Sequence, residues 1–360
     1  MAAPLDPVLA DWQARVRRAA ASGQALVLQG GGSKRFLGRS PMGELLDTRV
    51  WSGIRSYEPT ELVVTVRSGT PLAELEAVLA ERGQMLAFEP PHFGPATVGG
   101  MVAAGLSGPR RASAGAVRDH LLGVTLMDGR GDILRFGGQV MKNVAGYDVS
   151  RLMAGAMGTL GLLLDVSLKV MPLPAAERTV RLSMTQADAL RSLNRWGGQP
   201  LPLSASCWVD GLLHVRLSGA ASAVGAAIKK IGGEVLEPAA QQAFWRALRE
   251  QMHPFFAGSR PLWRLSVPSC EETIGAADVG LIEWGGALRW LRTPVEEGAA
   301  LAEHVARQHG SAMCFRAGEG ASCDVPFGRL SPALLGLHRR LKAAFDPAGV
   351  FNRARMYPDW

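Results

Sequence analysis

The glycines of this 360-residue chain are unevenly distributed, and their placement limits the fold more than any other feature of the sequence. Of the 43 glycines, 24 precede residue 173, and 15 of these lie between Gly94 and Gly161. Few long side chains separate them, so ordinary helix cannot dominate this stretch. We therefore expect the backbone in the first half of the chain to approach a ligand closely.

The composition is that of a globular protein with room for a sizeable core. Hydrophobic residues make up 47% and charged residues 20% of the chain, which excludes disordered, collagen-like and coiled-coil proteins. At roughly 150 residues per domain, the length predicts two domains. The sequence has no stretch of 18 uncharged apolar residues and no signal-peptide pattern, so we expect a cytoplasmic protein without a transmembrane segment.

The cysteines and the net charge limit the cofactors and partners. Cysteines occur at positions 207, 270, 314 and 323 and form no CxxC pair, so any electron carrier held by this chain should be organic. The net charge of +7 is compatible with an anionic cofactor or an acidic partner. The basic residues occur in pairs such as Arg339-Arg340, without a nucleic-acid-binding motif beside them, and we expect no nucleic acid partner.

A first glycine loop follows a predicted buried strand at Leu26–Gln29. Its small residues can present successive backbone amides to an anion, and a pyrophosphate would fit such a nest; a plain glycine turn is the alternative. A nearby hydroxyl and ammonium group would add donors. The pattern is neither a P-loop nor the dinucleotide GxGxxG fingerprint. The residues of this loop are Gly30, Gly31, Gly32, Ser33 and Lys34.

A second small-residue loop runs from Pro95 to Gly108. Small residues occupy nearly every position that could face a flat ligand, although a tightly packed helix of small residues would show the same composition. About 65 residues separate the two loops, and together they indicate a long ligand.

Strand and helix patterns divide the chain at Pro172-Leu173-Pro174. Before it, we predict a strand at Glu61–Arg67, a helix capped by Thr70-Pro71, a strand at Met85–Phe88 and a hairpin formed by 121–127 and 133–136. After it, we predict an antiparallel α+β domain with a hairpin turning on Asp210-Gly211 and with its helices on one side of the sheet. Ser331-Pro332 should cap a helix reaching Phe345, with Leu334, Leu337 and Leu341 on one face.

Three runs in this order make the interpretation specific: QGGGSKRFLGR, KNVAGYDVSRLMAGAMGTLG and FDPAGVFNRARMY. They resemble the FAD-binding domain of the vanillyl-alcohol oxidase superfamily, in the branch of D-lactate dehydrogenases and bacterial glycolate oxidase subunits, and most of all its E-subunit family. The resemblance implies an α+β fold with a two-subdomain flavin-binding domain over 1–174, an antiparallel α+β cap over 175–330, and a C-terminal helix and tail, 331–360, returning to the first domain.

The resemblance also assigns residues to FAD, which it implies is bound non-covalently, since the first loop lacks histidine. The first loop would wrap the pyrophosphate, and the second would line the pyrophosphate and isoalloxazine. Lys142, Asn143 and Tyr147 match a family run, for which loop ordering and ligand contact both stay open. The second-loop residues implied are Thr97, Val98, Gly99, Gly100, Ser107 and Gly108, and those toward the adenosine end are Asp119, Gly161 and Val166.

The implied function is that of an FAD-binding subunit of a multisubunit 2-hydroxy acid oxidase acting on glycolate. Electrons would pass to partners, a larger flavin-containing catalytic subunit and an iron–sulfur subunit, through which the chain could attach peripherally to the inner membrane. The HxGDGNxH-type run of larger catalytic relatives is absent here, so catalysis by this chain alone stays open. His92 could approach the flavin or be an ordinary loop histidine.

Two alternatives remain at this point. The chain could be a self-sufficient FAD-dependent 2-hydroxy acid dehydrogenase, with Arg264, Arg289, Arg292 or Arg316 gripping the substrate carboxylate. It could also be a non-catalytic assembly subunit.

Overall fold

The computed structural model describes residues 5–138, 148–271, 280–318, 323 and 326–359. The described helices are α1 (Pro7–Ser22), α2 (Leu72–Ala80), α3 (Val98–Ala104), α4 (Arg111–Ala114), α5 (Val117–His120), α6 (Val149–Met153), α7 (Gln186–Gly197), α8 (Ala221–Ile231), α9 (Pro238–Arg249), α10 (Val295–Arg307) and α11 (Pro332–Phe345). The described strands are β1 (Leu26–Gln29), β2 (Glu44–Asp47), β3 (Ile54–Glu58), β4 (Val63–Arg67), β5 (Gln84–Met85), β6 (Leu121–Met127), β7 (Ile133–Gly137), β8 (Leu162–Lys169), β9 (Met171–Pro172), β10 (Ala176–Ser183), β11 (Leu203–Val209), β12 (Leu212–Gly219), β13 (Glu234–Val235), β14 (Leu262–Ser266), β15 (Leu281–Glu283), β16 (Leu288–Arg292) and β17 (Ser311–Arg316).

Two sheets form the part of the molecule that holds the glycine loops. Strands β1 and β2 pair in parallel, and β3, β4, β8, β6 and β7 form an antiparallel sheet in that order. Strand β8 is central and buried along most of its length, which explains its nearly continuous apolar sequence. The predicted hairpin of β6 and β7 is confirmed. Helices α2 and α3 pack on this sheet, so α3 is held with its first turn beside the end of β1.

An eight-stranded antiparallel sheet forms most of the second half, in the order β13-β10-β12-β11-β15-β16-β14-β17. Its hairpin turns on Asp210 and Gly211, whose φ angles of 51° and 76° are those of a type I′ turn, as predicted. The fold class is therefore confirmed as α+β. We call this sheet with its helices the cap.

The predicted placement of all cap helices on one face is wrong. Helices α7, α8 and α10 cover the outer face, but α9 packs on the inner face, where Trp245 lies with Cys207 and Trp290 in one apolar cluster. The Trp245 indole donates to Thr179 Oγ1 at 2.9 Å. Helix α9 packs on this inner face because its strongly amphipathic sequence presents Trp245 and Leu248 to the apolar cluster there.

Two other local predictions are corrected. The Thr70 side chain does not cap α2; its hydroxyl accepts the Gly53 amide at 2.8 Å, and Pro71 takes the N-cap position. The predicted strand at 85–88 shortens to β5, because only Gln84 and Met85 find a partner strand, β9. Phe88 is instead fully buried in the core as part of a turn.

The C-terminal segment after Phe345 packs against the first strand. Leu26 donates to the Val350 carbonyl, and Val350 and Phe351 are completely buried with Leu26, Leu46 and Trp12. Helix α11 begins at its predicted Ser331 cap, where the Ser331 hydroxyl accepts the Leu334 amide. Its apolar face is exposed at Leu334 and Leu337, whereas Lys342 is buried. Across the residues that the structure describes, no helix is both long enough and apolar enough to cross a bilayer.

Candidate functional site: a glycine-walled cleft

A continuous cleft opens where β1 ends. One of its two hollows lies along the first glycine loop, and the other reaches toward the start of β8. The residues common to both hollows are Leu28, Gln29, Gly30, Gly100, Ala103, Met157 and Asn352. The sequence-predicted residues that line the cleft are Gly30, Gly31, Gly32, Ser33, Lys34, Thr97, Gly99, Gly100 and Gly161.

The two glycine loops touch each other, and this contact requires glycine. A Cβ atom on Gly31 would lie 1.4 Å from the Pro95 carbonyl oxygen, and one on Gly30 would lie 2.2 Å from Thr97 Oγ1. Gly32 has φ of +71°, a conformation that side chains rarely adopt. The first loop is therefore held closely against the second.

The backbone amides of the first loop are free to bind a ligand. Within the described part of the chain, no acceptor is bonded to the amides of Gly30, Gly31, Gly32 and Ser33. An unsatisfied amide away from bulk water costs free energy, so such a run favours an anionic oxygen as its partner. Together with the glycine contacts, the free amides fit a pyrophosphate.

Lys34 supplies the charge of this loop. Its ammonium group donates to the His92 carbonyl at 3.0 Å and to Ser33 Oγ at 3.3 Å, and lies 5.6 Å from the centre of the Phe93 ring. Burial lowers the pKa of Lys34 to about 8, against the opposing attraction of Glu250. An anion in the cleft would stabilise the protonated form.

Helix α3 presents its small residues to the cleft, but its first amides are already hydrogen-bonded within the protein. Val98 donates to the Thr70 carbonyl and Gly99 to that of Ser68, so these amides hold the helix in place. A Cβ on Gly100 would meet only Thr97 Oγ1, at 3.1 Å, and would otherwise point into open space. Gly100 therefore keeps the cleft clear for a ligand.

Asn352 and Arg355, which sequence reasoning missed, close the cleft from the C-terminal tail. The Asn352 side chain accepts the Leu28 amide and donates to the Met157 carbonyl, both at 2.8 Å. Arg355 donates to the carbonyls of Lys34 and Arg35, and burial lowers its pKa to about 10. The run FNRAR contained both residues, but no local pattern indicates contacts across more than 300 positions.

Five predicted residues do not line this cleft. Val166 is completely buried in the middle of β8, paired with strands on both sides, and Val98 has its side chain in the same core. Both side chains pack in the core and neither residue lines the cleft, so their assignment to the cofactor stays a prediction. Asp119 is on the surface, where its carboxylate accepts the Ala116 amide at 2.8 Å.

Ser107 and Gly108 lie at a second, narrower cavity, between the glycine-loop domain and the cap. The Gly108 carbonyl accepts the Trp284 indole N–H of the cap at 3.0 Å. The Ser107 hydroxyl accepts the Val117 amide. These residues mark the place where the second loop meets the cap.

His92 and the KNVAGYD run have different outcomes. The His92 ring contacts Glu76 Oε2 at 2.9 Å, and its backbone amide donates to Glu250, so it serves the loop structure. Lys142, Asn143 and Tyr147 lie outside the described residues.

Of the four arginines proposed as carboxylate ligands, Arg264 alone lines the cavity under the cap. Arg289 is fully buried and donates to the carbonyls of Gly286 and Glu271. Arg292 donates to four backbone carbonyls, among them that of Phe255. Arg316 lies over the Phe36 ring at 4.6 Å.

Comparisons with known proteins agree with this geometry. A family of FAD binding domains matches residues 9–137. Glycolate oxidase subunit GlcE of Escherichia coli (strain K12) is 48% identical over 347 residues, 96% of each chain. Glycolate oxidase subunit GlcD of Bacillus subtilis (strain 168) is 30% identical over 136 residues, covering 38% of this chain and 29% of that protein.

Solved structures support the same architecture. A structure of alkyldihydroxyacetonephosphate synthase superposes with a TM-score of 0.67 at 15% identity, covering 94% of this chain and 73% of that one. At this identity the likeness concerns the fold alone.

Proposed function

The chain belongs to the family of glycolate oxidase subunits represented by GlcE, and from this premise we propose that it is an FAD-binding subunit of a multisubunit oxidase of 2-hydroxy acids, with glycolate as substrate. The observation that carries the cofactor assignment is the run of amides at Gly30–Ser33, to which no acceptor from the described residues is bonded, beside Lys34 and between closely packed glycines. The family of FAD binding domains matches this same region.

The residues proposed to hold FAD fall into three groups. The amides of the first loop and Lys34 bind the pyrophosphate. Gly99, Gly100 and Gly161 give the backbone walls, and Ser107 and Gly108 lie toward the cap. Flavin, when bound, supplies the capacity to accept a hydride from a hydroxyl-bearing carbon and to release electrons one or two at a time.

The protein's own contribution is to orient the cofactor and to exclude water. Asn352 fixes β1 relative to Met157, so the walls of the cleft cannot separate. The cap covers the second loop through the Trp284–Gly108 hydrogen bond. Lys34 itself is largely buried, and a low-dielectric surrounding strengthens its interaction with an anion.

The partners are part of the same proposal. GlcE and GlcD are both glycolate oxidase subunits, and we propose that this chain assembles with a larger flavin-containing catalytic subunit and an iron–sulfur subunit. The absence of CxxC pairs from the sequence supports an iron–sulfur carrier on another chain. We further propose a cytoplasmic complex, attached peripherally to the inner membrane through these partners.

The test uses the complex purified with either the wild-type chain or a cleft variant. Gly100→Leu places a side chain in the cleft, and Gly225→Leu is the matched control, since a Cβ at Gly225 in α8 meets nothing within 4 Å. We expect the Gly100→Leu complex to assemble, to contain less FAD and to lose glycolate-dependent dye reduction, and the control to retain all three.

Two results would count against the proposal. Unchanged flavin content in the Gly100→Leu complex would show that the cleft does not hold FAD. Full glycolate oxidation by an assembled complex lacking this flavin would instead identify a non-catalytic assembly subunit.

A further inference from the structure

Helix α11 turns its apolar side outward. Leu334, Leu337 and Leu341 occupy positions i, i+3 and i+7, which places them in one stripe along the helix. The side chains of Leu334 and Leu337 are 49% and 43% exposed, and that of Leu341 is half-buried. An amphipathic helix of a globular domain normally packs such a stripe against the core. Here the helix buries Lys342 instead, so the described part of the chain leaves the stripe largely uncovered.

The helix that carries this stripe is firmly attached to the glycine-loop domain. The Lys342 ammonium donates to Asp346 Oδ2 at 2.6 Å. At the end of the helix, the Phe345 ring packs edge-on against Phe136 with 6.3 Å between centroids, and the Phe345 carbonyl accepts the Gly129 amide. A surface that is already fixed in place loses little conformational entropy when another molecule binds to it.

Arginines flank the stripe without a counterion of their own. Arg340 follows Leu337 by one turn and is exposed, and Arg329 is exposed just before the cap of the helix. In the ranges covered by the structure, neither guanidinium has an ion pair or a hydrogen bond, whereas the neighbouring Arg339 pairs with Asp359 at 2.5 Å. Leucines edged by unpaired arginines are complementary to an apolar surface that carries carboxylates.

The same charges disfavour two other occupants of this face. Attraction to an anionic membrane takes a cluster of roughly four to eight basic residues, more than the arginines at this stripe provide. A second copy of the chain, bound through the same face by two-fold symmetry, would bring the like charges of the two helices together. A protein of opposite charge is therefore the occupant that the face fits best.

We propose that the outward face of α11 docks a partner subunit that offers an apolar groove edged by carboxylates. Leu334, Leu337 and Leu341 are the anchors, with the spacing of a helix that lies in a groove. Arg340 pairs with a carboxylate at the rim, which fixes the orientation and speeds association. The proposal rests on the proposed multisubunit complex for the identity of this partner. The anchors do not line the glycine-walled cleft, so docking leaves the proposed FAD site free.

The experiment measures how much of each partner co-purifies with the tagged full chain when it is co-expressed with the two proposed partner subunits. The double variant Leu334→Glu/Leu337→Glu places charges in the apolar groove, and we expect it to recover at least about tenfold less of one partner. Arg340→Glu should also recover less, with a difference from the wild type that shrinks as salt is raised. Arg340→Lys keeps the charge and should recover nearly as much as the wild type.

Two variants outside α11 are the matched controls. Leu173→Glu changes a leucine that is 50% exposed, and Arg18→Glu changes an exposed arginine of α1. Both should recover the partners as the wild type does. All variants should keep the unfolding temperature and the FAD content of the wild-type chain, which separates loss of the interface from misfolding.

The outcomes separate this interface from the proposed function. Undiminished recovery of both partners by the double variant would overturn the interface and leave the proposed complex intact. Failure of the wild-type chain to recover any partner would contradict the complex, and the interface would fall with it. Flotation of the wild-type chain with phosphatidylglycerol vesicles, or its dimerisation in sedimentation velocity, would also overturn the proposal if the double variant abolished it.

Discussion

At the scale of single residues, the chemistry of the cleft depends on the amides of the first loop, to which no acceptor is bonded among the described residues, and on the charge of Lys34. The amides of the first loop are positioned by the contacts of Gly30 and Gly31, which leave no room for a Cβ, and the ammonium of Lys34 is held by the His92 carbonyl. The sequence predicts that the residues of the first loop lie together, because they are consecutive in the chain. It cannot predict Asn352, whose two hydrogen bonds depend on the return of the tail to β1.

Lys34 makes FAD affinity dependent on pH. In the ligand-free chain its pKa is about 8, and a bound pyrophosphate should raise it. Below pH 8 the lysine is charged in both states and affinity should be constant; above it, affinity should fall by up to about tenfold per pH unit until the pKa of the complex is reached. Fluorescence titration of the apo chain with FAD measures this.

Lys34→Arg provides the control for this titration, because arginine stays charged throughout the range. The FAD affinity of Lys34→Arg should stay constant over the pH range in which that of the wild type falls. An identical decline in both proteins would show that another group is responsible.

At the scale of elements, α11 shows how far a periodic pattern can be interpreted. The cap at Ser331 and the end near Phe345 are predicted correctly from local signals. The side of the helix that is buried does not follow from the apolar pattern, because Leu334 and Leu337 are exposed and Lys342 is buried with Asp346. The pair can be buried because the Lys342 ammonium donates hydrogen bonds to three oxygens, those of Asp346, Thr159 and Phe351. Only the tertiary fold brings these oxygens together.

Lys342→Met should destabilise the chain by about 3 kcal/mol, because it leaves the buried Asp346 carboxylate without its cation. Urea unfolding measures the change. Arg340→Met, at an exposed position of the same helix, should change stability by no more than about 0.5 kcal/mol. Equal stability of the two variants would refute the structural role of this pair.

At the scale of the whole molecule, the two sheets are joined by a buried ion network. Glu89 and Arg110 from the glycine-loop domain meet Glu177 and Arg216 from the cap. The pattern of strands and helices in the sequence indicated a domain boundary near residue 174. It could not indicate the pairing of Glu89 with Arg216, because residues 127 positions apart leave no local pattern.

Glu89→Gln should lower stability by about 3 kcal/mol, because Arg216 loses its carboxylate partner at 2.8 Å while Arg110 keeps only Glu177. Burial raises the pKa of Glu89, but the charges of Arg216 and Arg110 outweigh this and hold it below its usual value. Its stabilisation is therefore present above the unfolded-state pKa near 4.5 and is lost as pH falls through the lower folded-state pKa. The free energy of unfolding of Glu89→Gln should therefore fall less steeply than that of the wild type as the pH is lowered. The exposed control Glu61→Gln should behave as the wild type.

The central claim, that this chain holds FAD in its glycine-walled cleft, is tested most directly by the flavin content of the purified full chain after saturation with FAD and removal of excess. We predict a visible flavin absorption band with equimolar FAD that acid releases, and loss of that band in Gly100→Leu but not in Gly225→Leu. A colourless wild-type chain, or a Gly100→Leu chain with undiminished flavin, would contradict the account.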